Sequence, residues 1–236
     1  VIETSSALGR YLASFPRATA LQLQTLVPYE GEAGIFYIRH PDEPTGRITS
    51  VTLKFPPMVT GDGTSSIGTL IAADARLNAI GHLLLPALGA RAASVPKPGD
   101  TIRLVFVGNH CRGSTFIDGL DIVTPALAAR IEDIVRDMPG MFFTRIDLRY
   151  ESLESLRNGE GFQIIEFNGS GSEATNIWDP RMTIRKAYAT QFFHYGESFR
   201  IGEAIRRRGA RPTGFFRLMA LWRQQKHLMA AYPAND

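Results

Sequence analysis

The sequence predicts an α+β fold, a mainly antiparallel sheet flanked by helices, with a helical carboxyl-terminal tail. Three observations lead there. Runs of strand-forming residues come in pairs separated by turns rich in glycine and proline, as neighbouring antiparallel strands require. One central segment, from Pro125 to Met138, has a helix cap and an apolar stripe at helical spacing. From Thr183 onward two helical stretches follow, broken only around Gly209 and Pro212.

The elements follow in order. Thr4 to Phe15 reads as a helix with Leu8, Tyr11 and Leu12 on one side, closed before Pro16. A first strand is expected at Ala20 to Leu26, a second at Ala33 to Arg39 and a third at Ile48 to Phe55. Thr60-Gly61-Asp62-Gly63 is a turn, and a broken helical stretch runs from Ser66 through Leu84. Ile102 to Val107 reads as a strand that enters a loop at Gly108 to Ser114. Thr124 is an N-cap with Pro125 at the first helical position, where a missing N–H costs nothing. Leu127, Ile131, Ile134, Val135 and Met138 then form the apolar stripe, and Pro139-Gly140 ends the helix. Strands at Phe142 to Tyr150 and Phe162 to Asn168 flank a linker ending in Asn158-Gly159-Glu160-Gly161.

Composition narrows the function classes. The chain has 236 residues, 44% hydrophobic and 21% charged, as in ordinary globular proteins. No apolar run reaches the roughly 18 residues that a membrane-spanning helix needs. The first residues lack the basic region and apolar core of a signal peptide, and the absence of an initial Met suggests a start inside a longer protein. The single cysteine, Cys111, rules out an internal disulfide and fits a reducing compartment, so a cytoplasmic setting is expected. His40, His82, His194 and His227 are scattered without zinc-ligand spacing. Cys111 beside His110 lacks a third orienting group of the kind an activated nucleophile uses.

Charge is unevenly spread. Residues 1–180 carry 15 Lys and Arg against 20 Asp and Glu, a net −5. Residues 181–236 carry 11 against 3, a net +8. That tail is either a solvated helix face or a site for an anionic partner. Nucleic acid is not expected, because the chain has no recognised stacking motif and no sequence-reading module.

The strand pair after residue 142 carries the chemistry. Side chains two apart on a strand share a face, so Arg145, Asp147 and Arg149 lie together, opposite Ile146 and Leu148. On the second strand Phe162, Ile164, Glu166 and Asn168 are expected on one face. If the two strands pair as a hairpin, Asp147, Glu166, Asn168 and Arg145 gather on one surface. Three oxygen-donor side chains suit a hard cation such as Mg²⁺, with Mn²⁺ an alternative. An adjacent arginine offsets phosphate charge or a developing oxyanion. The same alternation also fits a sheet with one wet face. An acid inside the apolar run Ile164-Ile165-Glu166-Phe167, next to the small-residue loop Asn168-Gly169-Ser170-Gly171-Ser172, favours a ligand site.

Arg145-Ile-Asp147, followed by Ile164-Ile-Glu166-Phe-Asn168 and a Gly/Ser loop, resembles the metal-binding end of ATP-grasp carboxylate–amine ligases. D-alanine–D-alanine ligases, ribosomal-protein glutamate ligases and cyanophycin synthetases show this pattern, and a group of uncharacterised bacterial members resembles the chain over Leu21 to Asp236. The resemblance implies an ATP-grasp carboxyl-terminal lobe over residues 1–180, with a basic helical extension over 181–236 packed on it. It implies ATP and Mg²⁺ as cofactors and an activity joining a small-molecule carboxylate to an amine through an acyl phosphate. Asp147, Glu166 and Asn168 would hold metal, and Arg145 would contact the reacting group. Asn109 and Arg112 of Gly108-Asn109-His-Cys-Arg112-Gly113 would lie over the phosphates, with Arg112 also catalytic. Gln24, Thr25, Leu26 and Val27 match the strand whose backbone meets adenine, and Glu32 matches the ribose ligand, with Glu30 as its alternative. Val59-Thr-Gly61-Asp62-Gly63 is similar to a cyanophycin-synthetase segment. The loop ending Gly171-Ser172-Glu173 departs from the Pro-Gly of the better-known ligases, so their substrates do not carry over. The lysines that bind phosphate in the family lie upstream of the adenine strand, where this chain has none; Lys54 comes after it. The isolated chain is therefore expected to be inactive. The alternative is a non-catalytic module that keeps the fold and binds a nucleotide or an acidic ligand.

Overall fold

The structure, a computed structural model, describes residues 2–17, 19–106 and 108–233. The chain divides into two compact units, Val1–Pro28 with Arg206–Asp236, and Tyr29–Ile205. The first unit opens with α1 (Ser5–Ala13), capped by the Thr4 hydroxyl, which accepts the Ala7 N–H. The strand expected at Ala20 to Leu26 does not form. Leu21, Leu23 and Leu26 are 43%, 75% and 50% exposed, so the apolar alternation there buries no face.

The second unit is built on a five-stranded antiparallel sheet. Its strands are β1 (Gly31–Ile38), β2 (Arg47–Phe55), β5 (Thr115–Asp118), β6 (Phe143–Tyr150) and β7 (Phe162–Asn168), in the order β5-β2-β1-β6-β7. Between β2 and β5 the chain leaves the sheet to form a small lobe. There β3 (Met58–Thr60) pairs with β4 (Thr101–Arg103), and α2 (Ile67–Ala73), α3 (Ala75–Ala79) and α4 (Gly81–Leu88) pack against them. The broken helical stretch expected from Ser66 through Leu84 is these three short helices, with Asp74 capping the second by accepting the Arg76 and Leu77 N–H groups. The strand expected at Ile102 to Val107 is real only to Arg103, and Val107 lies outside the described residues. Leu104 ends the pairing by sending its N–H to Pro57 O.

One face of the sheet is the main core. Ala33, Ile35, Tyr37, Val51, Leu53, Ile146, Leu148 and Tyr150 point into it. They are covered by Leu127, Ile131 and Val135 of α5 (Pro125–Arg136) and by Leu156 of α6 (Leu153–Arg157). The cap anticipated at Thr124 is present, its hydroxyl accepting the Leu127 N–H at 3.1 Å.

One face assignment is corrected. Asp147 pairs with Glu166 but Leu148 pairs with Ile164, so Ile165 is an extra residue in β7, a β-bulge. Phe162 and Ile164 therefore join the apolar core, while Glu166 and Asn168 stay on the opposite face. The bulge uncouples the two halves of the strand, which strict alternation could not anticipate.

The opposite face divides along the strands. At one end α7 (Ile184–Arg207) closes over Phe36, Ile38 and Phe143 with its Ile201. His194 of α7 sits edge-on to Phe36, its Nδ1–H donating to Thr190 O at 2.8 Å. Its Nε2 then accepts from the Thr49 hydroxyl at 2.9 Å. Helix α7 belongs to the same compact unit as the sheet through Ile205. Helix α8 (Phe215–Ala230) lies in the first unit and buries no residue. Among the described residues no helix is long and apolar enough to cross a membrane.

Candidate functional site

At the other end this face is lined by charge. Strand pairing sets three rows across it: Phe116, Lys54, Glu32, Arg149 and Gln163; then Asp118, Thr52, Gly34, Asp147 and Glu166; then Ser50, Phe36, Arg145 and Asn168. Gly34 decides what can meet. A Cβ there would stand 2.9 Å from Asp147 Oδ1. With no side chain on β1 at that point, Lys54 reaches from β2 across to β6 and places Nζ 2.9 Å from Asp147 Oδ1.

Asp147 is the hub. Besides Lys54, Arg145 donates to it through Nε at 3.2 and 3.3 Å and through Nη2 at 2.9 Å. The Asn168 amide donates at 2.9 Å to Asp147 Oδ2 and at 3.0 Å to Glu166 Oε1. Burial pushes the Asp147 carboxyl up, but Lys54 and Arg145 outweigh that and hold it below the usual carboxylate range. Lys54 also lies 3.4 Å from Glu32 Oε1. Glu32 Oε2 accepts the Gly108 N–H at 3.2 Å, and a Cβ on Gly108 would lie 2.7 Å from Glu32 Oε1. Arg103 stands 3.8 Å from the same carboxylate. Arg149, next in the row, lies over the Phe106 ring at 4.6 Å and donates to Phe106 O at 3.1 Å. Burial lowers its pKa.

The segment after β7 crosses above these rows. Arg145 Nη1 donates to Glu173 O at 3.3 Å, the Thr175 hydroxyl donates to Thr52 Oγ1 at 3.0 Å, and the Asn176 amide donates to Asp118 Oδ1 at 3.2 Å. The chain thus passes from above β6 to above β5. Trp178 then meets the His110 ring at 5.1 Å, and His110 meets Phe116 at 5.5 Å. Charged strands thus form the floor of the site, this crossing segment lies above them, and the loop from Gly108 to Ser114 meets Glu32 through Gly108 and Trp178 through His110.

The structure brings Arg145, Asp147, Glu166 and Asn168 together, with Glu32 in the adjoining row. Asn109 and Arg112 stand on the loop tied to Glu32 by Gly108, its turn closed by the Arg112 and Ser114 N–H groups donating to Asn109 O at 3.1 and 3.2 Å. The Cys111 side chain is outside the described residues. Gln24, Thr25, Leu26 and Val27 lie in irregular backbone of the first unit, not on a strand. Glu30 is mostly exposed and pairs with Arg103 at 3.0 Å. Sequence reasoning gave no place to Lys54 as the counter-ion of Asp147. Its signal was a lysine alternating with Ser50 and Thr52 inside the otherwise apolar strand Val51 to Phe55.

The donor set fits a hard divalent cation. Two carboxylate oxygens lie close enough for one amide nitrogen, that of Asn168, to bridge them. A cation at that bridging position would have Asp147, Glu166 and, with the amide turned, the Asn168 oxygen as ligands. Among the described residues no group of three or more His, Cys, Asp and Glu gathers that could hold a metal ion.

No family model matches the sequence, and no curated protein matches it. Among solved structures, a bifunctional glutathione synthetase from Pasteurella multocida is similar over 71% of this chain and 24% of its own, at 19% identity and a TM-score of 0.42. The chain therefore spans about a quarter of that protein's length.

Proposed function

We propose that this chain is the metal-binding end of an ATP- and Mg²⁺-dependent ligase that joins a carboxylate to an amine through an acyl phosphate. The observation that carries this reading is the meeting of Asp147, Glu166 and Asn168 on one sheet face, with Arg145 alongside. The order and spacing of these residues resemble the ATP-grasp pattern, and their convergence gives that pattern a chemical purpose. Magnesium held there supplies positive charge to phosphate oxygens, the electrostatic share of phosphoryl transfer.

The chain's own groups do the rest. Asp147 aligns the Arg145 guanidinium through three contacts, and Glu173 O fixes Nη1 from above. A guanidinium held this way is preorganised to meet charge developing on the transferred group. Lys54 offsets the Asp147 and Glu32 charges. Gly108 ties the loop that carries Asn109 and Arg112 to Glu32, and an arginine on that loop suits an anionic ligand.

One observation favours a second reading. Lys54 and Arg145 already neutralise Asp147 without a cation. A non-catalytic module of the same fold would bind an anionic ligand through Lys54, Arg145 and Arg149 with no need of metal. Electron paramagnetic resonance of Mn²⁺ separates the two. Under the ligase reading, Mn²⁺ with ATP gives a protein-bound signal that Glu166→Gln abolishes. ATP binding without any bound Mn²⁺ supports the module and overturns the ligase reading.

A further inference from the structure

Among the described residues Glu173, like Glu166, has no lysine or arginine partner, and its carboxylate is held by neutral donors alone. Its carboxylate accepts the Trp178 indole N–H on Oε1 at 3.3 Å and the Gln191 amide N–H on Oε2 at 3.4 Å. Both donors are neutral. By contrast Glu32, Asp118, Asp147 and Asp179 each have a lysine or arginine within 4 Å. Two neutral donors fix the carboxylate in place and leave its charge uncompensated, which is how a binding group for a cation is built.

Its surroundings match. The Glu173 backbone carbonyl is held by Arg145, the group that flanks Asp147. The Trp178 ring is 48% exposed and lies tilted on His110 over the Phe116 end of the sheet. A carboxylate and a half-exposed indole therefore stand together on the segment that crosses the charged strands. An ammonium or guanidinium gains from both at once, a charge-assisted hydrogen bond from the acid and a cation–π contact from the ring. A neutral donor gains only a hydrogen bond to the acid, without the ionic attraction or the cation–π contact, and an anionic group gains neither.

We infer that Glu173 and Trp178 form a subsite for a cationic group, so that the amine joined by this site is a polyamine, a basic amino acid or a basic peptide terminus. This rests on the ligase reading for its biological meaning but not for its test. The chain has two tryptophans, Trp178 and Trp222, so Trp222→Phe leaves Trp178 as the only indole reporter. That variant is titrated with 1,4-diaminobutane, with n-butylguanidinium and with neutral 1,4-butanediol, following tryptophan emission.

Saturable quenching by the two cations, absent with the diol and weakened at least tenfold by Glu173→Gln, is expected. Glu173→Asp, which keeps the charge on a shorter arm, restores part of the response. Equal response to the diol, no response to either cation, or titration curves unchanged by Glu173→Gln each overturn the subsite. Circular dichroism of Glu173→Gln confirms that the fold is retained; the exchange conserves size, and the amide oxygen keeps one of the two acceptor contacts. Binding of ATP with Mg²⁺ is measured separately on the unmodified chain. Its failure would strike the ligase reading and leave the cation result standing.

Discussion

Lys54→Met gives the sharpest test of how the site is held together. Lys54 is buried between two carboxylates, 2.9 Å from Asp147 and 3.4 Å from Glu32. Removing one partner from a buried ion pair costs about 3–5 kcal/mol, because a charge is left uncompensated. Here Asp147 keeps Arg145 and the Asn168 amide, and Glu32 keeps the Gly108 N–H with Arg103 at 3.8 Å. The loss belongs at the lower end, about 3 kcal/mol, or roughly 150-fold in the folding equilibrium. For a chain of this size that lowers the melting temperature by about 6–12 °C. Urea unfolding at pH 7 measures it, and a double-mutant cycle with Asp147→Asn isolates its source. The Lys54→Met cost should shrink on the Asp147→Asn background, by about 2 kcal/mol. The pH dependence has a definite sign. The folded Asp147 carboxyl is held low, so its contribution is present above its unfolded value, about 3.9, and is lost as pH falls through the lower folded value. In Lys54→Met that acid loss is smaller. A cost below about 1 kcal/mol, or one unchanged by Asp147→Asn, refutes the claim that Lys54 serves as the counter-ion of Asp147.

Three further outcomes follow from the same geometry. Gly34→Ala sets a Cβ 2.9 Å from Asp147 Oδ1 and 3.3 Å from Arg145 Cδ, so it should cost about 1–3 kcal/mol in thermal unfolding; full stability would mean the strands open more easily than described. Burial holds the His194 pKa below its ordinary value near 6.5, so the stability it supplies is full above that pH and is lost as pH falls through the lower folded value. His194→Gln should flatten the stability curve on that acid side while lowering it at pH 8, and an unchanged slope would contradict the buried neutral tautomer. Thr175→Val removes the buried hydroxyl bond to Thr52 that holds the crossing segment down, and should cost about 1 kcal/mol and speed amide exchange from Glu173 to Asn176.

Much of the site could be read from the sequence, for a simple geometric reason. Arg145 and Asp147, like Glu166 and Asn168, are two apart, and a strand puts such pairs on one side whatever its neighbours are. The turn at Asn158 to Gly161 then left a hairpin as the natural pairing. Where the reading failed, the cause was non-local. The Ile165 bulge moved Phe162 and Ile164 to the core face, and it exists because β6 and β7 pair around it. Ala20 to Leu26 has a strand's pattern but forms no strand, because alternation alone supplies no hydrogen-bonding partner. β3 and β5 are three and four residues long, too short to show a period. The role of Lys54 depends on a glycine twenty positions earlier that clears its path to Asp147, a relation visible only once β1 lies between β2 and β6.

The central claim is that Asp147, Glu166 and Asn168 hold a metal that carries ATP. Isothermal calorimetry of the chain with ATP tests it most directly, run with Mg²⁺, with Mg²⁺ replaced by a chelator, and on Glu166→Gln. Expected is weak, saturable heat that needs Mg²⁺ and disappears in Glu166→Gln, since that substitution removes one of two metal-holding charges. ATP binding that is the same with chelator, or the same in Glu166→Gln, would contradict the metal assignment.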